Sequence, residues 1–249
     1  MTRNKGKEDV KSAARTLLLL PLLVLVAGCA HRGPYEEAHD PLEPVNRVVY
    51  RFNDKLDRYV LKPVAERYRD YVPVPVRKGV RNFFSNLGEP LTLVNNVLQA
   101  KPQAAASDFM RFTFNSVFGL AGVFDVASDW GLPRHHEDFG QTFAVWGFGE
   151  GWYLVLPLLG PSNVRDTLGL PFNWQLDPAL YTGTQARYSA LVLRTISVRA
   201  DLLSASRILD TAALDPYVSI REAYRQKRWS DEYDGNPPEP DFFDEELSD

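Results

Sequence analysis

Cys29, the only cysteine among 249 residues, closes the run Leu25-Val26-Ala27-Gly28-Cys29. Small residues directly before a cysteine form a bacterial lipobox, and the chemistry is acylation. The thiol takes diacylglycerol, and the amino terminus freed by cleavage takes a third acyl chain. Upstream, Arg3, Lys5, Lys7, Lys11 and Arg15 precede an apolar run over residues 17–27, the order of a secretory signal. That run is about 11 residues, short of the ~20 that a membrane span needs. The alternative, a cytosolic chain with an apolar N-terminal helix and one buried cysteine, fits poorly with the polar turn His31-Arg32-Gly33-Pro34 that follows at once. Two acyl anchors already hold a protein stably on a membrane, and three do so more firmly. Ala30 rather than Asp follows the cysteine, so retention at the inner membrane is not signalled.

The other chemistry-bearing residues form no reaction centre. His135-His136-Glu137-Asp138 has the residue types of a metal site, yet the His-Glu-x-x-His spacing is missing and adjacent residues rarely share one metal face. Ser162 lies in Gly160-Pro161-Ser162-Asn163, without the Gly-x-Ser-x-Gly of a nucleophile elbow. Helix capping is the simpler role for it. Neither a Walker loop nor a Rossmann glycine pattern occurs, and no pair of carboxylates stands apart. The residues predict no enzyme, no metal and no cofactor beyond the covalent lipid on Cys29.

Charge is unevenly placed. The leader's five basic and two acidic residues leave the remaining 221 at −7; nine acids in residues 230–249, with no base among them, leave residues 29–229 at +2. A near-neutral body argues against a nucleic-acid surface. The acidic, Pro-containing tail reads as disordered.

The elements that would carry these residues are mostly helical. Asp40 as N-cap, Pro41 in the first position and Glu43 as the return of a capping box predict a helix start. Val45, Val48, Val49, Phe52, Leu56, Tyr59 and Val60 then form one amphipathic stripe. Pro63 ends or kinks that helix, and a short one runs on to about Tyr71. Helices are expected over residues 76–87 and 90–99, separated by a break at Gly88-Glu89-Pro90, and from Pro102 to about Phe118. Residues 109–126 are apolar almost all round, which predicts a deeply buried helix or one in lipid. Asp108, Arg111, Asn115 and Asp125 are the exceptions. Residues 131–183 are irregular and rich in Gly, Pro and Trp, with a short strand or extended segment near residues 153–159 and a helical turn capped by Ser162. One long helix over residues 184–213 and a last one from Pro216 to Arg228 complete the chain. The 30 aromatic residues suit a core or a membrane interface equally.

Ordered motifs cover most of the body. They include Asp40-Pro41-Leu42-Glu43-Pro44-Val45-Asn46-Arg47, Phe52-Asn53, Asn82-Phe83-Phe84, Asn86-Leu87, Glu89-Pro90 and Arg111-Phe112. Further on come Asn115-Ser116, Glu137-Asp138-Phe139-Gly140-Gln141, Gly160-Pro161-Ser162 and Asp215-Pro216-Tyr217-Val218. Over residues 40–228 the sequence resembles the MlaA/VacJ family of outer-membrane lipoproteins, with the weakest match at residues 172–213.

That resemblance implies a mostly α, ring-like assembly of amphipathic helices lying in the inner leaflet of the outer membrane, with short irregular Gly/Pro/Trp-rich segments. The domains would be a signal peptide (1–28), a lipidated tether (29–40), an MlaA-like helical domain (41–229) and an acidic tail (230–249). It implies removal of misplaced phospholipid from the outer leaflet through an amphipathic channel. The lipid would pass to a periplasmic MlaC-like carrier, and a trimeric porin would be a partner. Phe52, Asn53, Arg111 and Asn115 are the candidate channel or gating residues. Arg111, set in so apolar a stretch, either faces a polar path or pairs with Asp108 or Asp125. Two other readings remain open at this point. A non-transport scaffold would give porin defects without surface phospholipid, and a membrane-bound lipid hydrolase would need a nucleophile and base.

Overall fold

The computed structural model describes residues 40–238. Cys29, its leader and residues 239–249 lie outside the described residues. The chain begins with α1 (Glu43–Leu56), one π turn (Asp57–Leu61) and α2 (Lys62–Tyr71). Next come α3 (Val74–Leu98), α4 (Pro102–Val117), α5 (Val126–Asp129) and α6 (Phe139–Val145). The hairpin β1 (Tyr153–Leu156) and β2 (Gly160–Asn163) leads into α7 (Val164–Gln175), and a 3-10 turn (Pro178–Tyr181) into α8 (Thr184–Asp201). The described chain ends with α9 (Leu203–Ala212) and α10 (Pro216–Glu232). No helix among the described residues is long and apolar enough to cross a membrane.

Two helix ends differ from the sequence expectation. Asp40 does not cap α1; Leu42 sits at the cap and Pro44 in the first turn. The Asp40 carboxylate instead accepts from Asn46 Nδ2 at 3.0 Å and from the Tyr217 hydroxyl, and faces Arg221 at 3.6 Å. Ser162 does not cap α7; Asn163 does, its Oδ1 accepting from the Asp166 amide at 2.7 Å. The Ser162 hydroxyl meets Thr167 Oγ1 at 2.9 Å. Distant partners, Tyr217 and Arg221, claim the Asp40 side chain, whereas the Ser162 hydroxyl goes to Thr167 on α7 itself.

Proline reshapes helices here without ending them. Pro63 cannot donate to the previous turn, and the helix widens into one π turn just before it, with the Lys62 amide donating to the Asp57 carbonyl. The expected break at Gly88-Glu89-Pro90 is absent: α3 runs unbroken for 25 residues with Pro90 inside it. The buried residues of α3 lie on both sides of Pro90, from Gly79, Phe84, Asn86 and Glu89 to Thr92, Asn95 and Asn96. Packing along the whole helix outweighs the ~3 kcal/mol that an interior proline costs. The expected helix over residues 184–213 is interrupted at Leu202, and α10 extends to Glu232 instead of ending at Arg228. Asp215 caps α10, accepting from the Tyr217 amide at 3.0 Å.

Of the two settings that the apolar stretch after Asp108 allows, deep burial does not occur. Phe109 (58 % exposed), Phe118 (61 %) and Leu120 (66 %) face outward, while Asp108 and Arg111 have no exposed surface. The stripe of α1 faces outward too, at Val45, Val48, Phe52 and Tyr59. Among the described residues, buried apolar side chains gather in two small clusters. Ala65, Ala200 and Leu203 form one, and Tyr153, Val155 and Tyr217 form the other. Among the described residues, twenty buried side chains are polar or charged and nine are apolar. This inverts the distribution of a protein surrounded by water.

Candidate functional site

The polar interior is built by two facing stripes. On α3, Asn86, Glu89, Thr92, Asn96 and Gln99 recur every three or four residues, which aligns them on one helix face. On α4, Asp108, Arg111 and Asn115 do the same. All eight are buried. The turn after α4 closes this pair: Gly122 has φ +91°, and a Cβ there would lie 2.3 Å from that of Asn86.

Arg111 is the hub. Its Nε donates to Glu89 Oε1 at 3.2 Å and its Nη2 to Asp125 Oδ1 at 3.0 Å. Its Nη1 donates to the Leu132 carbonyl at 2.7 Å and to Ser128 Oγ at 3.2 Å. The ion pair therefore forms with Asp125, and not with Asp108. Asp108 accepts from Asn96 Nδ2 at 2.6 Å and meets His135 Nδ1 at 2.7 Å. Asn115 Nδ2 donates to the same Asp125 oxygen at 3.0 Å, and Asn115 Oδ1 accepts from the Ala127 amide at 2.9 Å. In this conformation Arg111 and Asn115 hold one knot together and face no open path.

Electrostatics splits the two carboxylates of the knot. Burial pushes the Glu89 carboxyl up to about 7, against the pull of Arg111. Burial also acts on Asp125, but bonds from Ser128 and Asn115 and the charges of Arg111 and Arg134 hold it at about 2. Nearby, the Glu137 carboxyl is raised by burial although Gln99 Nε2 donates to it at 2.8 Å and Lys101 Nζ at 3.3 Å. His135 and Glu137, two residues apart in the metal-like tetrad, are thus spoken for by different partners. Among the described residues no group of three or more His, Cys, Asp or Glu could hold a metal ion.

Phe52 and Asn53 lie elsewhere. Phe52 is exposed on α1. Asn53 uses its amide as a strand would use its backbone: Nδ2 donates to the Leu156 carbonyl and Oδ1 accepts from the Leu158 amide, both at 2.9 Å. Asn46, seven residues earlier, repeats the arrangement on the Tyr153 carbonyl and the Val155 amide, again at 2.9 Å. Two asparagines two helical turns apart thereby fasten α1 to the hairpin. A third knot docks α10. Arg228 donates to Asp138 Oδ2 at 2.7 Å and to Asp166 Oδ1 at 2.9 Å, the Tyr224 hydroxyl donates to Asp166, and Arg165 donates to Glu232. Gly140 has room for nothing larger, since a Cβ would lie 2.3 Å from Asp166 Oδ1.

Between α3, the segment 135–141, α8 and α10 lies a cavity of about 250 Å³, lined by Ser85, Glu89, His136, Arg194 and Lys227 among others. Asp125 was named in the sequence as a possible partner of Arg111, whereas no role was assigned there to Glu89, Asn46 or Arg228. The signal available for Glu89 was its place in the three-and-four spacing of polar residues along α3.

A family model described as MlaA lipoprotein matches residues 38–231. The Escherichia coli (strain K12) intermembrane phospholipid transport system lipoprotein MlaA is 38% identical over 208 residues, covering 82% of this chain and 82% of that protein. The protein of the same description from Haemophilus influenzae is 34% identical over 225 residues, covering 84% and 87%. A solved structure described as the structural basis for maintenance of bacterial outer membrane lipid asymmetry superposes with a TM-score of 0.69 at 38% identity. It covers 80% of this chain and 100% of that one.

Proposed function

Because this chain belongs to the MlaA lipoprotein family, whose members are transport lipoproteins and not enzymes, we propose that it removes mislocalised phospholipid from the outer leaflet of the outer membrane. In this reading the helices form a ring-like body in the inner leaflet, held there by the acylated Cys29. The lipid passes through an amphipathic path and on to a periplasmic MlaC-like carrier, with a trimeric porin alongside. Asn53, Arg111 and Asn115 act by holding the walls of that path in register, and Phe52, exposed on α1, is the candidate gating residue.

The observation that supports this is the inverted distribution of polarity. Phe109, Phe118, Leu120, Phe124, Trp130 and Trp146 are exposed, while Glu89, Asp108, Arg111 and Asn115 are enclosed. Such a surface is suited to acyl chains, and such an interior to a headgroup. Helices satisfy their own backbone groups, so they tolerate lipid where open sheet edges do not. A shielded route is needed because two acyl chains of about 30 methylenes cost roughly 24 kcal/mol to expose to water, at ~0.8 kcal/mol each.

The test is outer-leaflet phospholipid in intact cells lacking the protein, measured with a membrane-impermeant amine label. The expected result is accumulation, reversed by the wild-type gene and not by Ser85→Trp, which fills the cavity. Porin defects with no surface phospholipid would overturn transport in favour of a scaffold. Lyso-products formed by the purified protein would do so in favour of a hydrolase.

A further inference from the structure

Glu89 is 3% exposed, and its Oε2 is a buried oxygen without a hydrogen-bond partner, on a residue that lines the cavity. Its other oxygen is held by Arg111, so the side chain cannot turn to find a donor elsewhere without breaking that pair. Around it, Glu89 and Asp125 share the guanidinium of Arg111, Asp125 also pairs with Arg134, and Asp108 meets His135. The wider lining carries exposed cations instead: Lys227 from α10 (72% exposed side chain) and Arg194 from α8 (46%). Each is held only by a carboxylate that is itself partly open to solvent, Asp231 and Asp177.

We propose that this cavity seats the headgroup of an amine-bearing phospholipid, with the primary ammonium donating to Glu89 Oε2 and the phosphodiester at Lys227 and Arg194. The proposal rests on the phospholipid reading above and adds a headgroup preference to it. An ammonium supplies the missing donor and carries a positive charge with it. A choline headgroup carries the charge but no N–H, and leaves Oε2 without a bond. A glycerol headgroup offers only a neutral donor, a bond roughly half as strong as a charge-assisted one, and leaves the lipid with its net negative charge. Burial raises the Glu89 carboxyl, as expected of a group whose cationic partner arrives with the ligand.

The test uses the full-length lipoprotein in detergent, offered mixed micelles equimolar in phosphatidylethanolamine, phosphatidylglycerol and phosphatidylcholine, with bound lipid measured by mass spectrometry. Phosphatidylethanolamine is expected to be enriched on the order of tenfold over the other two, the factor one charge-assisted bond supplies. Glu89→Gln, which keeps an oxygen for Arg111, is expected to bring the preference to within about twofold. Free O-phosphoethanolamine is expected to compete and phosphocholine not to. If the wild type takes all three lipids equally, the headgroup assignment fails and the phospholipid reading stands. If it takes none, both fall. The wild-type ratio decides the matter even if Glu89→Gln lowers stability. A preference unchanged in a folded Glu89→Gln protein would overturn the role of Glu89.

Discussion

Replacing Arg111 with methionine tests the idea that this fold is held by enclosed charge. Methionine keeps most of the volume and removes the donors to Glu89, Asp125, Ser128 and the Leu132 carbonyl. Removing one partner of a buried ion pair costs about 3–5 kcal/mol, because the other charge is left without compensation. At about 2–4 °C per kcal/mol for a body of this size, the melting temperature should fall by roughly 10 °C. The loss should also depend on pH, through Glu89. Its folded-state value of about 7 lies above the ordinary carboxylate value of 4.5, so the folded state binds the extra proton and stability falls as pH rises between the two. That gap already amounts to about 3 kcal/mol against ionised Glu89 at pH 8, at ~1.4 kcal/mol per pH unit. Without Arg111 the folded-state value moves higher, so the fall continues to higher pH. The Arg111→Met loss should therefore be larger at pH 8 than at pH 6. Adding Glu89→Gln should recover about 2 kcal/mol of it at pH 8, since no uncompensated charge then remains at position 89. The assay is thermal unfolding of the two single variants and the double variant in one detergent at both pH values. A melting temperature for Arg111→Met within about 2 °C of wild type at pH 8, or no recovery in the double variant, would refute the reasoning.

Three further outcomes are expected. Gly140→Ala should destabilise by about 3 kcal/mol or more, because its Cβ would meet Asp166 Oδ1 at 2.3 Å and Arg228 Nη2 at 2.6 Å; limited proteolysis should then cut near α10, and an unchanged pattern would count against the Arg228 knot. Asn53→Ala should speed hydrogen exchange of the Leu158 amide by about tenfold or more by removing its acceptor, a loss of about 1–2 kcal/mol, and unchanged protection would remove Asn53 from the hairpin's support. Cys29→Ser should leave a soluble or uncleaved precursor; fractionation showing unchanged membrane retention and size would overturn the acylation assignment.

Some of this was legible residue by residue. The lipobox at Cys29 is a contiguous motif. Pro102 and the pair Asp215-Pro216 announced helix starts where α4 and α10 begin, since a proline in the first turn loses no helical hydrogen bond. The three-and-four spacing along α1 showed an amphipathic helix. Spacing states that a helix has two faces; it does not state which one turns inward. For residues 109–126 that choice stayed open, since buried surroundings and lipid give the same apolar pattern.

The knots were illegible for a related reason. Glu89 and Arg111 lie 22 residues apart, Arg228 and Asp138 lie 90 apart, and Asn53 and Leu158 lie 105 apart. No local pattern joins them. Pro90 reads as a break until α4 is laid against both halves of α3. Glu89 has an ordinary carboxylate value until α3 and α4 together exclude water from it. The sequence by itself determined the helical class and the positions of most helix starts, because those depend on neighbours within a few residues. Only the tertiary structure decided which stripes are enclosed, which charges pair and where the cavity lies. Burial and ion pairing are properties of two elements in contact, and a single element does not contain them.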